Sequence, residues 1–204
     1  MERKSTKIVV FGILFALFVF SSANAEASPK KKLDGFWGIP WNVSAKEAAK
    51  LMEKKNATLL PFQNDENSLK YSGTFGGKEA EITLSFIEDK FCIGTVKYPK
   101  AEEDFVSTYQ ATKSNLIKKY GSVDKESKIS AALDDINSYG HNITSVLLGV
   151  MLTEGTLYAN WVFDDKNFIC LSAEPSYAIK VTYSNKKLLD EKSAKEEQEI
   201  LEDF

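Results

Sequence analysis

Histidine and cysteine are scarce in this 204-residue sequence, which holds one histidine, His141, and two cysteines, Cys92 and Cys170. A zinc site usually needs several His or Cys ligands, and a Ser-His-Asp or Cys-His site needs a histidine oriented by a third group. The patterns G-x-S-x-G, H-E-x-x-H and C-x-x-C do not occur, and His141 lies in the loop-like context Ser-Tyr-Gly-His-Asn. We therefore expect no catalytic residue, no metal site and no cofactor, and infer a protein that is not an enzyme.

An excess of positive charge is also missing. The sequence has 26 Lys and Arg against 29 Asp and Glu, and 23 against 28 once the first 25 residues are set aside. Nucleic acids and anionic membrane surfaces are bound mainly through basic patches. We expect no nucleic-acid partner.

Long apolar runs are absent except near the start, where 13 apolar residues (8–20) follow Arg3, Lys4 and Lys7. Small residues then lead to Ala25, which is typical of a secretory signal peptide cleaved near Ala25. The alternative is a membrane anchor, but a helix of this length spans only ~20 Å of a ~30 Å hydrocarbon core. No cysteine ends the run, so a lipid anchor is not supported. We expect a periplasmic or secreted bacterial protein without a transmembrane segment in its mature chain.

The sequence as a whole divides into four predicted regions. Residues 1–25 form the signal peptide, 26–35 a solvated linker, 36–186 a single α+β domain, and 187–204 a charged, helix-prone tail. A further hypothesis is that the acidic tail helix docks a partner.

An aromatic motif begins the domain at residues 36–47, "FWGIPWNVSAKE". Ser44 and Glu47 have the spacing of a capping box, which predicts a helix from the next residue. Two interpretations of the tryptophans stay open, because aromatic pairs anchor a core and also line small-molecule pockets. The favoured one is structural, with these residues in the motif: Trp37, Gly38, Pro40, Trp41, Ser44 and Glu47.

Alternation of apolar and polar residues predicts most of the domain as strands, first over residues 69–98 and again over 157–183. A helix is predicted from about Ala101 to Tyr120, with Gly121 after its last turn. The segment 146–152 favours a short helix. The sequence thus predicts an α+β fold, an antiparallel sheet with helices packed on one face and the other face polar.

The two strand-rich halves have the same order, a helix followed by three antiparallel strands. An Asp-Lys turn also precedes each cysteine, as in Phe86 to Cys92 and Phe163 to Cys170. We therefore consider an α-βββ pseudo-duplication a hypothesis that strand order decides.

Four short motifs resemble a group of small, mostly uncharacterised exported bacterial domains: "GIPW" before the capped helix, the hairpin from Tyr71 to Gly76, "KKYG" ending at Gly121, and a late W-x-F strand. The arrangement is more distantly similar to the beta-lactamase inhibitor protein type of fold and to small outer-membrane assembly lipoproteins. The resemblance implies a non-catalytic layer that binds a protein or another cell-envelope component through the open face of its sheet.

The residues predicted for that partner-binding face are Lys70, Ser72, Thr74, Glu81, Thr83, Ser85, Lys180 and Thr182. A face that is merely solvated is the plain alternative. The other function considered is an envelope hydrolase with an unrecognised acidic site, in which carboxylates from distant segments such as Glu81 and Asp134 would converge in a cleft.

Cys92 and Cys170 are the remaining candidates, as a possible disulfide. Export favours a disulfide between them, and closing the loop from residue 92 to residue 170 would stabilise the fold by ~4 to 5 kcal/mol. The apolar neighbours Phe91, Ile93, Ile169 and Leu171 equally permit two buried thiols.

Overall fold

The computed structural model describes residues 32–61, 67–98, 105–135, 157–173 and 178–202. The helices described are α1 (Ala45–Glu53), α2 (Phe105–Tyr120), α3 (Lys128–Asp135) and α4 (Lys186–Glu202). The strands described are β1 (Gly35–Phe36), β2 (Ile39–Pro40), β3 (Thr58–Leu59), β4 (Ser68–Phe75), β5 (Lys78–Ile87), β6 (Lys90–Tyr98), β7 (Lys125–Glu126), β8 (Leu157–Val162), β9 (Phe168–Ala173) and β10 (Ile179–Ser184). The predicted signal peptide, His141 and the segment 146–152 lie outside the described residues.

Eight strands form one antiparallel sheet in the order β3-β4-β5-β6-β10-β9-β8-β7, and β1 pairs with β2 in a small separate ribbon. Two turns with positive φ close hairpins: Gly76-Gly77 between β4 and β5, and Glu88-Asp89 between β5 and β6. Two consecutive residues of positive φ are what a type I′ hairpin requires. Glycine adopts this conformation without steric cost, whereas Glu88 and Asp89 adopt it at a steric cost.

One face of the sheet carries the core. Apolar residues at alternate positions of the strands point to this face, among them Ile82, Val96 and Val181, and all three are buried. Helices α1, α2 and α3 cover it, with contacts to β6, β10 and β8 respectively. The α+β fold with an antiparallel sheet and core helices on one face is as predicted.

The first ribbon also belongs to this core face. The ring of Phe36 lies directly on Gly94 of β6, where a Cβ atom would overlap it. Phe36 also stacks on Phe75, with ring centroids 5.8 Å apart. Glycine is required at position 94 for a steric reason, because the ribbon approaches β6 too closely for a side chain.

Strand order agrees with a duplicated α-βββ layout. The two three-stranded meanders, β4-β5-β6 and β8-β9-β10, meet through antiparallel β6 and β10, and the short strands β3 and β7 occupy the two edges. The sequence likeness around the cysteines does not follow this symmetry. Cys92 comes after the second hairpin turn of its meander, whereas Cys170 comes after the first hairpin turn of the other. That local likeness reflects common hairpin chemistry, while the symmetry lies in the strand order.

The helix predicted up to Tyr120 is present, and Gly121 follows with a φ of +87°. Its N–H donates to the carbonyl of Ile117 at 2.8 Å. The core contacts of α2 run through Phe105, Tyr109 and Leu116, while Ile117 is exposed. The segment after α2, which the sequence did not resolve, contains β7 and α3. Among the described residues, no helix combines the length and hydrophobicity that a bilayer crossing requires.

Candidate functional site

The face of the sheet opposite α1–α3 is mainly polar, and we call it the polar face. Alternate residues of a strand share a face, and the observed register sets which residues of neighbouring strands lie side by side. All eight residues predicted for partner binding lie on it: Lys70, Ser72, Thr74, Glu81, Thr83, Ser85, Lys180 and Thr182.

Within the polar face the residues form rows across the strands. One row begins at Lys70 on β4, continues through Thr83 on β5 and Thr95 on β6, and reaches Thr182 on β10. The next row joins Ser72, Glu81, Lys97 and Lys180 in the same strand order. The antiparallel pairing of β6 with β10 therefore brings the two halves of the predicted face into one continuous surface.

A groove lies at the β3 end of this face, with a volume of about 530 Å³. Pockets for small ligands generally have volumes of about 300–1,000 Å³, so this groove has room for a small molecule or a few residues of a peptide. The groove is lined by Asn56, Thr58, Leu60, Ser72, Gly73, Thr74, Glu79, Ala80, Glu81 and Lys97. Ser72, Thr74 and Glu81 are the predicted residues that reach it, whereas the other five lie elsewhere on the face.

The edge strand β3 forms one wall of the groove. Asn56, with a φ of +56°, turns the chain after α1 into β3. Thr58 then pairs with Ser72, and the Leu60 N–H donates to the Lys70 carbonyl at 2.8 Å. The groove therefore spans β3 to β6, because its lining residues come from all four strands.

Charges of both signs line the groove. Glu79 and Glu81 project from β5, and Lys97 is the direct neighbour of Glu81 on β6. Hydroxyl groups of Thr58, Ser72 and Thr74 add donors and acceptors. Among the residues that the structure describes, no three His, Cys, Asp or Glu side chains are grouped as metal ligands. The groove can therefore offer hydrogen bonds and ion pairs to a polar ligand.

Sequence reasoning missed three contributors to this surface: Glu79, Thr95 and Lys97. The signal for the last two was present, because Thr95 and Lys97 alternate with buried Gly94 and Val96 in a strand that had been predicted. The contribution of β3 had no such signal, since a two-residue edge strand has no period to detect.

The aromatic motif lies on the core face rather than at the groove. Phe36, Ile39 and Trp41 are buried, and the Trp41 indole N–H donates to the carbonyl of Leu33. Trp37 is half-buried between the ring of Phe75 and the Lys55 ammonium, which lies 4.8 Å from its ring centroid.

The turn Trp37-Gly38 of the motif has positive φ at both residues and closes the ribbon of β1 and β2, which ends at Pro40. The capping box at Ser44 is formed: its backbone N–H donates to the Glu47 carboxylate at 3.1 Å, and its hydroxyl accepts from the Glu47 N–H at 3.3 Å. These contacts favour the structural interpretation of the motif over the ligand-box one.

Cys92 and Cys170 are free thiols, and β10 lies between the strands that carry them. Two inter-strand spacings amount to ~9.5 Å, which exceeds the ~7 Å limit for the Cα atoms of a disulfide. The possible disulfide is not formed in this structure; Cys92 is buried, whereas Cys170 is partly exposed and lies between Thr182 and Asn160 of the neighbouring strands. Burial raises the pKa of Cys92 to about 11, an effect that nearby Lys192 partly offsets, and burial also raises the pKa of Cys170.

The acidic candidates are not brought together. Glu81 lies on the polar face at β5, whereas Asp134 belongs to α3, which packs on the core face beside β8. Asp164 and Asp165 form the turn between β8 and β9, where an Asp165 carboxylate oxygen accepts from the Asn167 N–H at 3.1 Å. That contact is the Asp-to-backbone bond typical of turns.

Comparison with protein-family models, with curated proteins and with solved structures gave no significant match to this chain. The resemblance to exported bacterial domains therefore stays a prediction, and functional inference depends on the geometry of the groove and its surface.

Proposed function

We propose that this chain is an exported, non-catalytic binding protein that holds a protein or another cell-envelope ligand on the polar face of its sheet. The observation that carries the proposal is the groove, because it is concave and lies within the face that the sequence had already selected. Convergent hydroxyl, carboxylate and ammonium groups in a groove are the usual means of orienting a polar ligand.

The antiparallel sheet also supports a binding role mechanically. The groove floor consists of β4, β5 and β6, which are paired over most of their length. Side chains on paired strands are held more firmly than those on loops, so the binding groups lose little freedom when a ligand arrives. The ligand would contact Ser72, Thr74 and Glu81, with Lys97 on the β6 side of the groove.

The experiment compares two doubly substituted chains of equal added charge. Ser72→Arg with Thr74→Arg fills the groove, whereas Ser114→Arg with Asn115→Arg adds the same charges at exposed positions of α2. Each purified mature chain is immobilised and exposed to periplasmic extract. We expect the groove variant to lose the ligand retained by the wild-type chain and by the α2 variant. Equal retention by all three chains would refute a role for the groove.

Export itself is tested by cell fractionation with N-terminal sequencing. The proposal expects the chain outside the cytoplasm, beginning at Glu26. A chain recovered from the cytoplasm and still beginning at Met1 contradicts this part of the proposal.

One observation favours a second candidate, an envelope hydrolase. Glu79 and Glu81 face the same groove from one strand, with Cα atoms ~7 Å apart, and carboxyl groups at about that separation would suit an inverting glycosidase. An acid catalyst is usually enclosed by apolar side chains, whereas Glu79 is exposed. The binding proposal expects no turnover of cell-wall glycans by the wild-type chain. Turnover that disappears in Glu79→Gln and Glu81→Gln variants would favour the hydrolase instead.

A further inference from the structure

Helix α4 contacts the domain within its first three turns. Asn185 accepts the Leu188 N–H through its side chain at 3.2 Å, and Leu188 is buried. About two turns of helix after Leu188, Lys195 pairs with Glu88 in the turn between β5 and β6. Residues 190–202 are all exposed.

Two large apolar side chains near the end of α4 have no cover. Ile200 is 59% exposed and Leu201 is 68% exposed, the highest values among the large apolar residues of the described chain. At ~100° per residue, Ile200 and Leu201 lie ~120° and ~140° around the helix from Leu188, on opposite sides. A tighter approach of α4 to its own sheet would therefore not bury them.

The charges of α4 run against its dipole. Lys186 and Lys187 occupy the first turn, while Glu196, Glu197, Glu199 and Glu202 occupy the last two. Basic residues are unfavourable at a helix N-terminus and acidic residues at a C-terminus. The ion pairs from Lys186 to Asp190, Lys187 to Glu191 and Lys192 to Glu196 also have the weaker of the two i,i+4 orientations. The distal turns of α4 thus have little stability of their own.

We propose that residues 196–202 of α4 form a docking helix for a partner protein that has an apolar groove bordered by Lys or Arg. Ile200 and Leu201 enter the groove, and the basic border neutralises the surrounding glutamates. Basic groups at this end of α4 also satisfy its dipole, so binding stabilises the helix that binds.

The distribution of charge along the chain indicates which kind of partner binds the docking helix. Residues 190–202 contain six carboxylates and two lysines, whereas residues 26–189 contain 21 acidic and 21 basic residues. A second copy therefore offers no net positive charge to attract the helix. An anionic lipid surface repels it, because surface helices that bind such lipids carry Lys and Arg on their polar face. A basic protein remains as the complementary partner.

The experiment starts from a photo-crosslinking amino acid placed at Gln198, with a matched chain that carries it at exposed Val162 on β8. The protein crosslinked in cells is identified by mass spectrometry, purified and titrated with the unlabelled mature chain. The apolar contact is tested with Ile200→Ser plus Leu201→Ser, and its control is Ile117→Ser plus Val162→Ser, which removes two exposed apolar side chains elsewhere. Amide hydrogen exchange of residues 190–202 is followed with and without the partner.

We expect a protein crosslinked from position 198 and not from 162, and an affinity that falls at least tenfold in the α4 variant and is unchanged in the control. We also expect weaker binding at higher salt, and slower amide exchange of residues 196–202 in the complex. Four results would overturn the proposal: no protein captured from 198, capture of a second copy or of lipid, affinity that is insensitive to the serines or to salt, or strong amide protection in the free chain. Because α4 is separate from the groove, the chain with Ser72→Arg and Thr74→Arg should retain this partner, whether or not the groove binds a ligand of its own.

Discussion

Lys113 and Lys195 each join a helix to a glutamate of the sheet region, in opposite surroundings. The Lys113 ammonium on α2 contacts the Glu126 carboxylate at 2.6 Å and also donates to the Ser130 carbonyl at 3.2 Å, and the side chain is 2% exposed. Lys195 on α4 pairs with Glu88, and both side chains are more than half exposed.

The difference lies in what each lysine leaves behind when it is removed. Glu88 is exposed, so water can solvate its carboxylate once Lys195 is gone. Glu126 is only 25% exposed and Ser130 is fully buried, so water has little access to the groups that Lys113 leaves. A buried ion pair is costly to break because the remaining charge loses its partner without regaining water. We infer that α2 and α3 form one cooperative unit with the β7 edge of the sheet, while α4 is attached loosely enough to serve as a separate docking element.

The largest effect is expected from Lys113→Ala. It removes the donor for Glu126 and Ser130 and leaves a cavity beside α3, so the free energy of unfolding is expected to fall by ~3 to 5 kcal/mol. Urea denaturation followed by circular dichroism measures this change. The control pairs Lys113→Met with Glu126→Leu, which removes both charges and retains apolar volume. We expect that chain to be much more stable than the single variant, and a loss below ~1 kcal/mol in Lys113→Ala would show that the pair is not a structural tie.

The second prediction compares two glycines on the core side of the sheet, Gly94 and Gly73, that differ in the space available for one methyl group. Gly94→Ala places a Cβ atom on the Phe36 ring, so we expect a loss of ~1 to 3 kcal/mol from overpacking. Gly73→Ala is the matched control, because its Cβ atom would meet Ala57 at an ordinary 3.4 Å. Thermal unfolding of both chains measures the contrast. Equal unfolding temperatures would mean that the ribbon does not rest on β6 as described.

Much of this fold could be predicted from periodicity. The long strands alternate clearly, and Ser44 with Glu47 marks the start of α1 as the structure has it. The polar face followed from the same alternation. What periodicity cannot supply is pairing between distant strands, so the contact of β6 with β10 that unites Lys97 with Lys180 was beyond local reasoning.

Short elements and tertiary ties escaped prediction for a different reason. β3 and β7 have two residues each, too few for a pattern, and β3 forms a wall of the groove. Lys113 looks like a solvated helix lysine until Glu126 and Ser130 fold over it. The cysteine pairing was open because sequence separation carries no information on the number of strands between two residues.

The third prediction concerns Cys92, beside α4. Its pKa of about 11 means that the thiolate fraction near pH 8 is about 100-fold lower than that of an unperturbed thiol. We expect slow alkylation of Cys92 in the native chain and rapid alkylation in urea, read by peptide mapping that separates it from Cys170. Rapid native alkylation would show that α4 and the sheet do not enclose the thiol.

The same raised pKa fixes the sign of a pH dependence. A thiol held protonated in the folded state releases its proton more readily when unfolded, so its contribution to stability is complete below about pH 9 and falls as the pH rises towards about 11. Burial raises the pKa values of Cys170 and Tyr183 in the same direction. Cys92→Ser should therefore flatten the decline without abolishing it, as urea midpoints between pH 8 and 11 will show.

The smallest effect is expected from Lys195→Ala. A hydrogen bond and the charge of Lys195 lower the pKa of the Glu88 carboxyl, but both groups are solvated and salt screens their attraction. The urea midpoint should therefore match that of the wild-type chain, while amide exchange of residues 190–202 becomes faster because α4 opens locally without global unfolding. Lys187→Ala is the control, since the pair that Lys187 forms, with Glu191, lies within α4. A midpoint lowered as far as in Lys113→Ala would place α4 inside the cooperative core and remove the contrast between the two lysines.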